Sequence, residues 1–263
     1  MTKNSINQAA KRAYDAAEKA WWDRLTMTDN ILPSAGAPHH QTMWREVMRS
    51  PKTSLRWGRH SFKSEDLQID FMKEVFKIIA EHQPGDIKAQ DTHKSGGTRN
   101  PPSRPDFTIV LTGFEPGRPP RVNTNNVPWS EAVSSGELKR TRGEMKWGRM
   151  QFIEFAWQVM QQQEGREFVI GFVIAGTDIE FLKLSKDGEV GHTAQKPLLA
   201  KKDTQRATEG FKQLAIFMGM SPEDLGAIDI QQGLDDSSWE DDSEEEEIEE
   251  AEEEEESESS EEE

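Results

Sequence analysis

From Asp235 to Glu263 the chain carries 20 acidic residues and not one basic residue. Such a segment repels itself and has almost no apolar side chains with which to offset the entropy of ordering, so it is expected to be disordered. Any fold must therefore be built from the residues before it. Of the 49 acidic residues in the whole chain, 29 remain there against 32 basic ones, so the body is slightly basic although the chain as a whole is at −17. All twelve Phe and seven of the eight Trp precede Asp235. The low overall hydrophobic content is thus a local dilution, and the body can bury a sizeable core.

The absence of cysteine excludes a disulfide scaffold, Cys-ligated zinc and thiol catalysis. No apolar run is long enough to span a bilayer. The polar, Ala-rich start (Met1 to Ala20) lacks the apolar middle of a signal peptide. The expected location is intracellular, nucleus or cytoplasm, without secretion or a membrane partner.

Hydrophobic periodicity predicts helices at Ser5–Leu25, Met43–Met48, Ser64–His82, Arg149–Gln163 and Thr204–Met218. The second-half strands are read at Glu167–Ala175 and Asp178–Leu184, with Gly176-Thr177 as a hairpin turn. A shorter strand is expected at Phe107–Leu111, and a weaker extended segment at Trp129–Lys139. Helix, strand, strand, helix, strand, strand, helix implies an α/β fold, a mixed sheet flanked by helices. The expected divisions are an N-terminal helical extension (residues 1–60), an α/β domain (61–220) and the disordered acidic C-terminal tail (221–263).

Pro105-Asp106 stands at the entrance of one strand, and Glu137-Leu138-Lys139 lies in the next. Period two places Glu137 and Lys139 on one face, within reach of Asp106 on a neighbouring strand. Converging carboxylates suit Mg²⁺ or Mn²⁺, which would hold a phosphate oxygen and acidify a bound water. Lys139 would stabilise the developing phosphate charge or orient that water.

This arrangement resembles the PD-(D/E)XK nuclease superfamily, which implies a restriction-endonuclease-like mixed sheet. The resemblance further implies a metal-binding acidic residue on the preceding helix, where Glu65 and Glu74 are candidates and Glu74 is favoured. The metal set would then be Glu74, Asp106 and Glu137. It also implies a Gln on the helix after the E-x-K strand, and Gln151 matches. The Tyr that often follows four residues on is Phe155 here. The catalytic set it implies is Asp106, Glu137, Lys139 and Gln151.

A second resemblance rests on Arg104 to Phe107, the block Trp129 to Lys139, the helix Gln151 to Gln163, and the strand Arg166 to Gly176. Together these are similar to the N-terminal region of fungal-type protein kinases, over about a third of the chain (Arg104 to Gly188). In that family the region precedes a divergent kinase domain. No Gly-x-Gly-x-x-Gly loop, His-Arg-Asp or Asp-Phe-Gly occurs here, so phosphotransfer is not expected of these residues.

Lys94, Arg99 and Arg104, with Lys139, Arg140, Arg142, Lys146 and Arg149, form either a phosphate-attracting border to the cleft or an ordinary charged surface. Most tryptophans are expected in the core, and Trp147 is the best candidate for stacking a base. The six histidines are read as exposed loop residues. The tail is a solubilising appendage, a lure for basic proteins such as histones, or a nucleic-acid mimic covering the body's own cleft, with serines (Ser237, Ser238, Ser243, Ser257, Ser259, Ser260) suited to an acidophilic kinase. Three functions stay open: a metal-dependent nuclease or a nucleic-acid binder derived from one, a non-catalytic interaction module whose tail makes the contact, and a regulatory fragment docking onto a separate kinase domain.

Overall fold

Apolar side chains alternate between two sides of the strand Phe168–Ala175, and this one strand divides the whole core. The computed structural model describes residues 25–28, 30–33, 39–50, 65–92, 105–112, 127–199 and 206–228, all within a unit spanning residues 1–230. The elements are β1 (Leu25–Met27), α1 (His40–Arg49), α2 (Glu65–His82), β2 (Ile87–Asp91), β3 (Phe107–Leu111), β4 (Ser134–Lys139), α3 (Met145–Gln162), β5 (Phe168–Ala175), β6 (Asp178–Ser185), β7 (Val190–His192), β8 (Lys196–Pro197) and α4 (Glu209–Met218). Short 3-10 turns precede β4 (Trp129–Glu131) and α3 (Arg142–Glu144).

The strands form one mixed sheet in the order β1-β7-β6-β5-β4-β3-β2, with β8 beside β6. β4 and β5 run parallel, as do β1 and β7; the other pairs are antiparallel. Two neighbouring parallel strands need a crossover, and α3 supplies it between β4 and β5.

On one side of β5, Ile170, Phe172 and Ile174 join a core with residues of α1, α2 and α4. On the other, Val169, Val173 and Ala175 pack with Phe152, Phe155, Ala156 and Val159 of α3. The first core is rich in rings: Phe76 lies 5.0 Å from Phe107, and Phe172 lies 5.4 Å from Phe217. Each such ring removed from water contributes about 1.5–3 kcal/mol. Met43, Trp44 and Val47 of α1 belong to this core, and Trp44 packs edge-on against Phe211 of α4 at 5.1 Å.

Several expectations shift. The helix expected to run to Leu25 lies outside the described residues but for Leu25 itself, which begins a strand. Helix α3 starts four residues earlier than the apolar pattern suggests. Thr141 and Glu144 form a capping box, in which the Glu144 carboxylate accepts from Thr141 N at 2.9 Å, and that turn leads straight into Met145. α4 begins later than expected, because Thr208 is its N-cap and accepts from Phe211 N. β2, β7 and β8 are strands that the sequence pattern did not single out. The acidic tail lies outside the described residues. Among the described residues no helix is long and apolar enough to cross a membrane.

Candidate active site

Glu137 and Lys139 owe their common direction to the pleat of β4. In the parallel register Glu137 faces Val173 and Lys139 faces Ala175. Directly paired residues share a face, and Val173 and Ala175 belong to the core under α3. Glu137 and Lys139 therefore point to the α3 side, while Leu138 turns into the opposite core. β3 runs antiparallel to β4 with Phe107 opposite Gly136, so Asp106 falls beside Glu137. Gly136 is needed there, since a Cβ would come 2.0 Å from Phe172 Cζ.

Glu137 and Lys139 touch through their side chains, and Asp106 is bonded to the backbone between them. Glu137 is 1% exposed and Asp106 6%. Glu137 Oε2 accepts from Lys139 Nζ at 3.3 Å. Asp106 Oδ2 accepts from the Leu138 backbone N–H at 2.7 Å. The start of β3 is itself fixed: Thr92 Oγ1 donates to Pro105 O at 2.6 Å, and Thr92 N donates to Asp106 O at 3.0 Å.

A further brace was not legible in the sequence. Gln68 of α2, fully buried, donates from Nε2 to Lys139 O at 3.2 Å. The same carbonyl accepts from Gly176 N at 2.8 Å. The Glu137–Lys139 backbone is thus held from three directions, which fixes where its two side chains emerge. Ser135 Oγ, also fully buried and on the Glu137 side of β4, makes no hydrogen bond, and neither does Gln68 Oε1.

Helix α3 closes over the site because Gly148 lacks a side chain. A Cβ there would stand 2.4 Å from Val173 Cγ1 and 3.3 Å from Lys139 Cγ. Gln151, half-buried, is three residues on and shares this face of α3.

Glu74 stands elsewhere. Its helix packs against the opposite side of the sheet, and its carboxylate accepts from Ser50 Oγ at 3.0 Å. For Glu65 only the backbone position, at the first turn of α2, is described. Among the described residues no three His, Cys, Asp or Glu side chains are grouped to hold a metal ion. The geometry offers the adjacent pair Asp106 and Glu137 rather than a triad with Glu74.

The basic border is reduced. Arg149 donates from Nε and an Nη to the two oxygens of Glu180, at 2.8 and 2.6 Å. Glu180 is fully buried on β6, opposite Val173, in the same row as Glu137. His192 Nδ1 lies 3.2 Å from Glu180 Oε1, so this histidine packs beside the buried Arg149–Glu180 pair and is not an exposed loop residue. Arg142 pairs with Asp178 at 3.0 Å. His82 also has a partner, Glu46 on α1. Lys94, Arg99 and Arg104 lie outside the described residues. Of the tryptophans, Trp44 is buried and Trp129 packs on Phe155 at 4.7 Å. Trp147 and Trp157 are exposed, at 50% and 41%.

Fold and site together define a mixed α/β domain with a carboxylate pair and a lysine at the end of a central parallel strand. A family model described as fungal protein kinase matches residues 114–260, more than half of the chain, and the chain belongs to that family. The match begins after Asp106 and extends past Gly188, so it lies later in the chain and is longer than the resemblance read from the sequence. None of the curated proteins and none of the solved structures compared with the chain matches it.

Proposed function

We propose that this domain is a PD-(D/E)XK-type, restriction-endonuclease-like module that binds a divalent cation and a phosphodiester of nucleic acid between Asp106, Glu137 and Lys139. The observation that carries the reading is that Glu137 accepts from Lys139 and Asp106 is bonded to the backbone between them, although Asp106 stands 31 and 33 residues before the other two. The order antiparallel β2, β3, β4, then a helical crossover to parallel β5, supports the same reading. Two adjacent carboxylates fit Mg²⁺ or Mn²⁺, ions that complete their shell with water and substrate phosphate. When bound, the cation would polarise the phosphate and acidify a water. Lys139, held toward Glu137, places a positive charge where the phosphate gains negative charge. Gln68 and Asp106 keep the backbone of Glu137–Lys139 in register. Exposed Trp147, next to Gly148 on α3, offers a ring against which a base could stack. Kinase chemistry is not proposed for these residues, because none of the phosphate-loop, His-Arg-Asp or Asp-Phe-Gly motifs occurs among them.

The test is calorimetric titration of Mn²⁺ into the full chain and into Glu137→Gln and Asp106→Asn. Binding to the parent, weakened at least about tenfold in both variants, is expected for ligands that supply charge to the ion. A single-strand cleavage assay of the parent against Lys139→Ala then reads the chemistry. Mn²⁺ binding unaffected by either substitution would remove the site from this location. Cation-dependent binding of an oligonucleotide without cleavage would leave the binding half of the reading and end the catalytic half.

A further inference from the structure

At the edge of the sheet farthest from β1, strand β2 has, among the described residues, a neighbour on one side only. Thr112 N donates to Asp86 O and Thr92 N donates to Asp106 O. In an antiparallel pair these bonds alternate, so the even-numbered residues of β2 exchange hydrogen bonds with β3. The backbone N–H and C=O groups of Ile87 and Ala89 then point outward, away from β3. Among the described residues no strand pairs with them. An open edge of this kind is a template for one more strand.

Beside this edge runs a cleft of about 430 Å³ between β2 and α2. Its floor is apolar, with Phe76, Ala80, Ala89 and Phe107, and its rim carries Lys73, Lys77 and Lys88 against the single acidic residue Asp91. Lys73 pairs with Asp91 and Lys77 with Glu81, yet the Lys73 and Lys77 side chains are still 50% and 62% exposed. Ala89 faces Ile109, which packs into the α2 core. Ala89 and Asp91 therefore look toward α2, and Lys88 toward the other side of the sheet. The cleft joins three features: an outward main-chain edge, a short apolar trough, and lysines on both sides of the added strand, of which Lys73 and Lys77 stand beside carboxylates yet stay half-exposed.

We infer that β2 and α2 form a docking groove for an extended acidic peptide with a short apolar centre, which adds to the sheet as a strand beyond β2. Main-chain bonds to Ile87 and Ala89 would supply affinity, and alternate side chains would supply selectivity. Side chains facing α2 would meet the apolar floor at the centre and Lys73 and Lys77 at the ends. Those facing the other way would meet Lys88. A nucleic-acid strand would satisfy the lysines but has no use for the outward amide and carbonyl groups of Ile87 and Ala89, so a peptide fits better. This groove is separate from the Asp106–Glu137 site, and the inference does not depend on the function proposed above.

The probe is the capped peptide Glu-Glu-Val-Thr-Val-Glu-Glu, titrated into isotope-labelled full-length protein. The expected result is saturable binding that shifts the backbone amide signals of Ile87 and Ala89 and slows their exchange with solvent. The charge-reversed peptide with Lys at the four Glu positions should bind at least about tenfold more weakly, as should the protein carrying both Lys73→Glu and Lys77→Glu. A peptide N-methylated at alternate amides tests the main-chain component with unaltered protein, so the inference stays testable if the double variant fails to fold. Equal binding of the N-methylated peptide would overturn the strand-addition geometry. Signal changes confined to residues away from β2 and α2, or oligonucleotide binding in the cleft with no peptide binding, would overturn the inference as a whole.

Discussion

Arg166 tests whether the arrangement around β4 depends on one buried cation. The side chain is 1% exposed, and burial pushes its guanidinium down to about 9. That is still well above neutrality, so Arg166 folds as a cation, and it meets no carboxylate among its hydrogen-bond partners. Its five donors serve the carbonyls of Phe168 (3.0 Å), Ala132 (3.1 Å), Val133 and Leu225 (3.0 Å), and Gln163 Oε1 (2.6 Å). One side chain thereby ties the approach to β4, the start of β5 and the turn around Leu225. Arg166→Met keeps most of the aliphatic stem and removes every donor. Ala132 O retains Gln163 Nε2 at 2.8 Å, whereas the other three carbonyls lose the donor that Arg166 supplies. At about 1–2 kcal/mol for each, the loss is roughly 3–6 kcal/mol. For a domain of this size that is a fall in Tm of roughly 6–24 °C. Urea unfolding followed by tryptophan fluorescence measures it, and amide exchange should show Leu225 to Ala227 opening first. A variant within about 1 kcal/mol of the parent would mean that replacing a buried charge with an apolar chain offsets the lost bonds, as happens at some buried ion pairs. The staple argument would then be wrong.

Other outcomes follow from the same contacts. Gly148→Ala should destabilise by about 1–3 kcal/mol through the Val173 clash, and adding Val173→Ala should recover part of that loss; no recovery in the double variant would place the strain elsewhere. Glu180→Leu should cost about 3–5 kcal/mol in denaturant unfolding, because Arg149 is left against the buried sheet without its carboxylate; an unchanged midpoint would show that Arg149 swings out to water. Burial holds the Glu131 carboxyl above its ordinary value of 4.5. The folded state thus keeps a proton that the unfolded chain has lost, so this contribution falls as pH rises through that range. Glu131→Gln should flatten the fall, and parallel stability–pH curves for the two proteins would refute it.

What the sequence disclosed depended on how far each signal reaches along the chain. β5 and β6 announce themselves as apolar runs joined by Gly176-Thr177, and α2 by its stripe from Leu67 to Ile79. β2 has only Ile87 and Ala89 as apolar residues among five, because an edge strand beside a charged rim needs no more. β7 and β8 are too short to carry a period. Period two puts Glu137 and Lys139 on one face of β4, and the β3–β4 register sets Asp106 beside Glu137. Glu74 was misjudged as a partner because helical position alone does not say which side of the sheet a helix will cover. Gln68 and Arg166 left little local trace, since most of their acceptors are backbone carbonyls 33 to 71 residues away.

Strand β1 is three residues long, yet it lies parallel to β7 and pairs Leu25 with Val190, Thr26 with Gly191 and Met27 with His192. It is the only described element that shields the outer side of β7. A cleavage or truncation that frees it would uncover a row of unsatisfied amides and carbonyls close to buried Val190. The expected consequence is self-association through that margin rather than loss of the fold. A segment this small would then govern solubility more than stability.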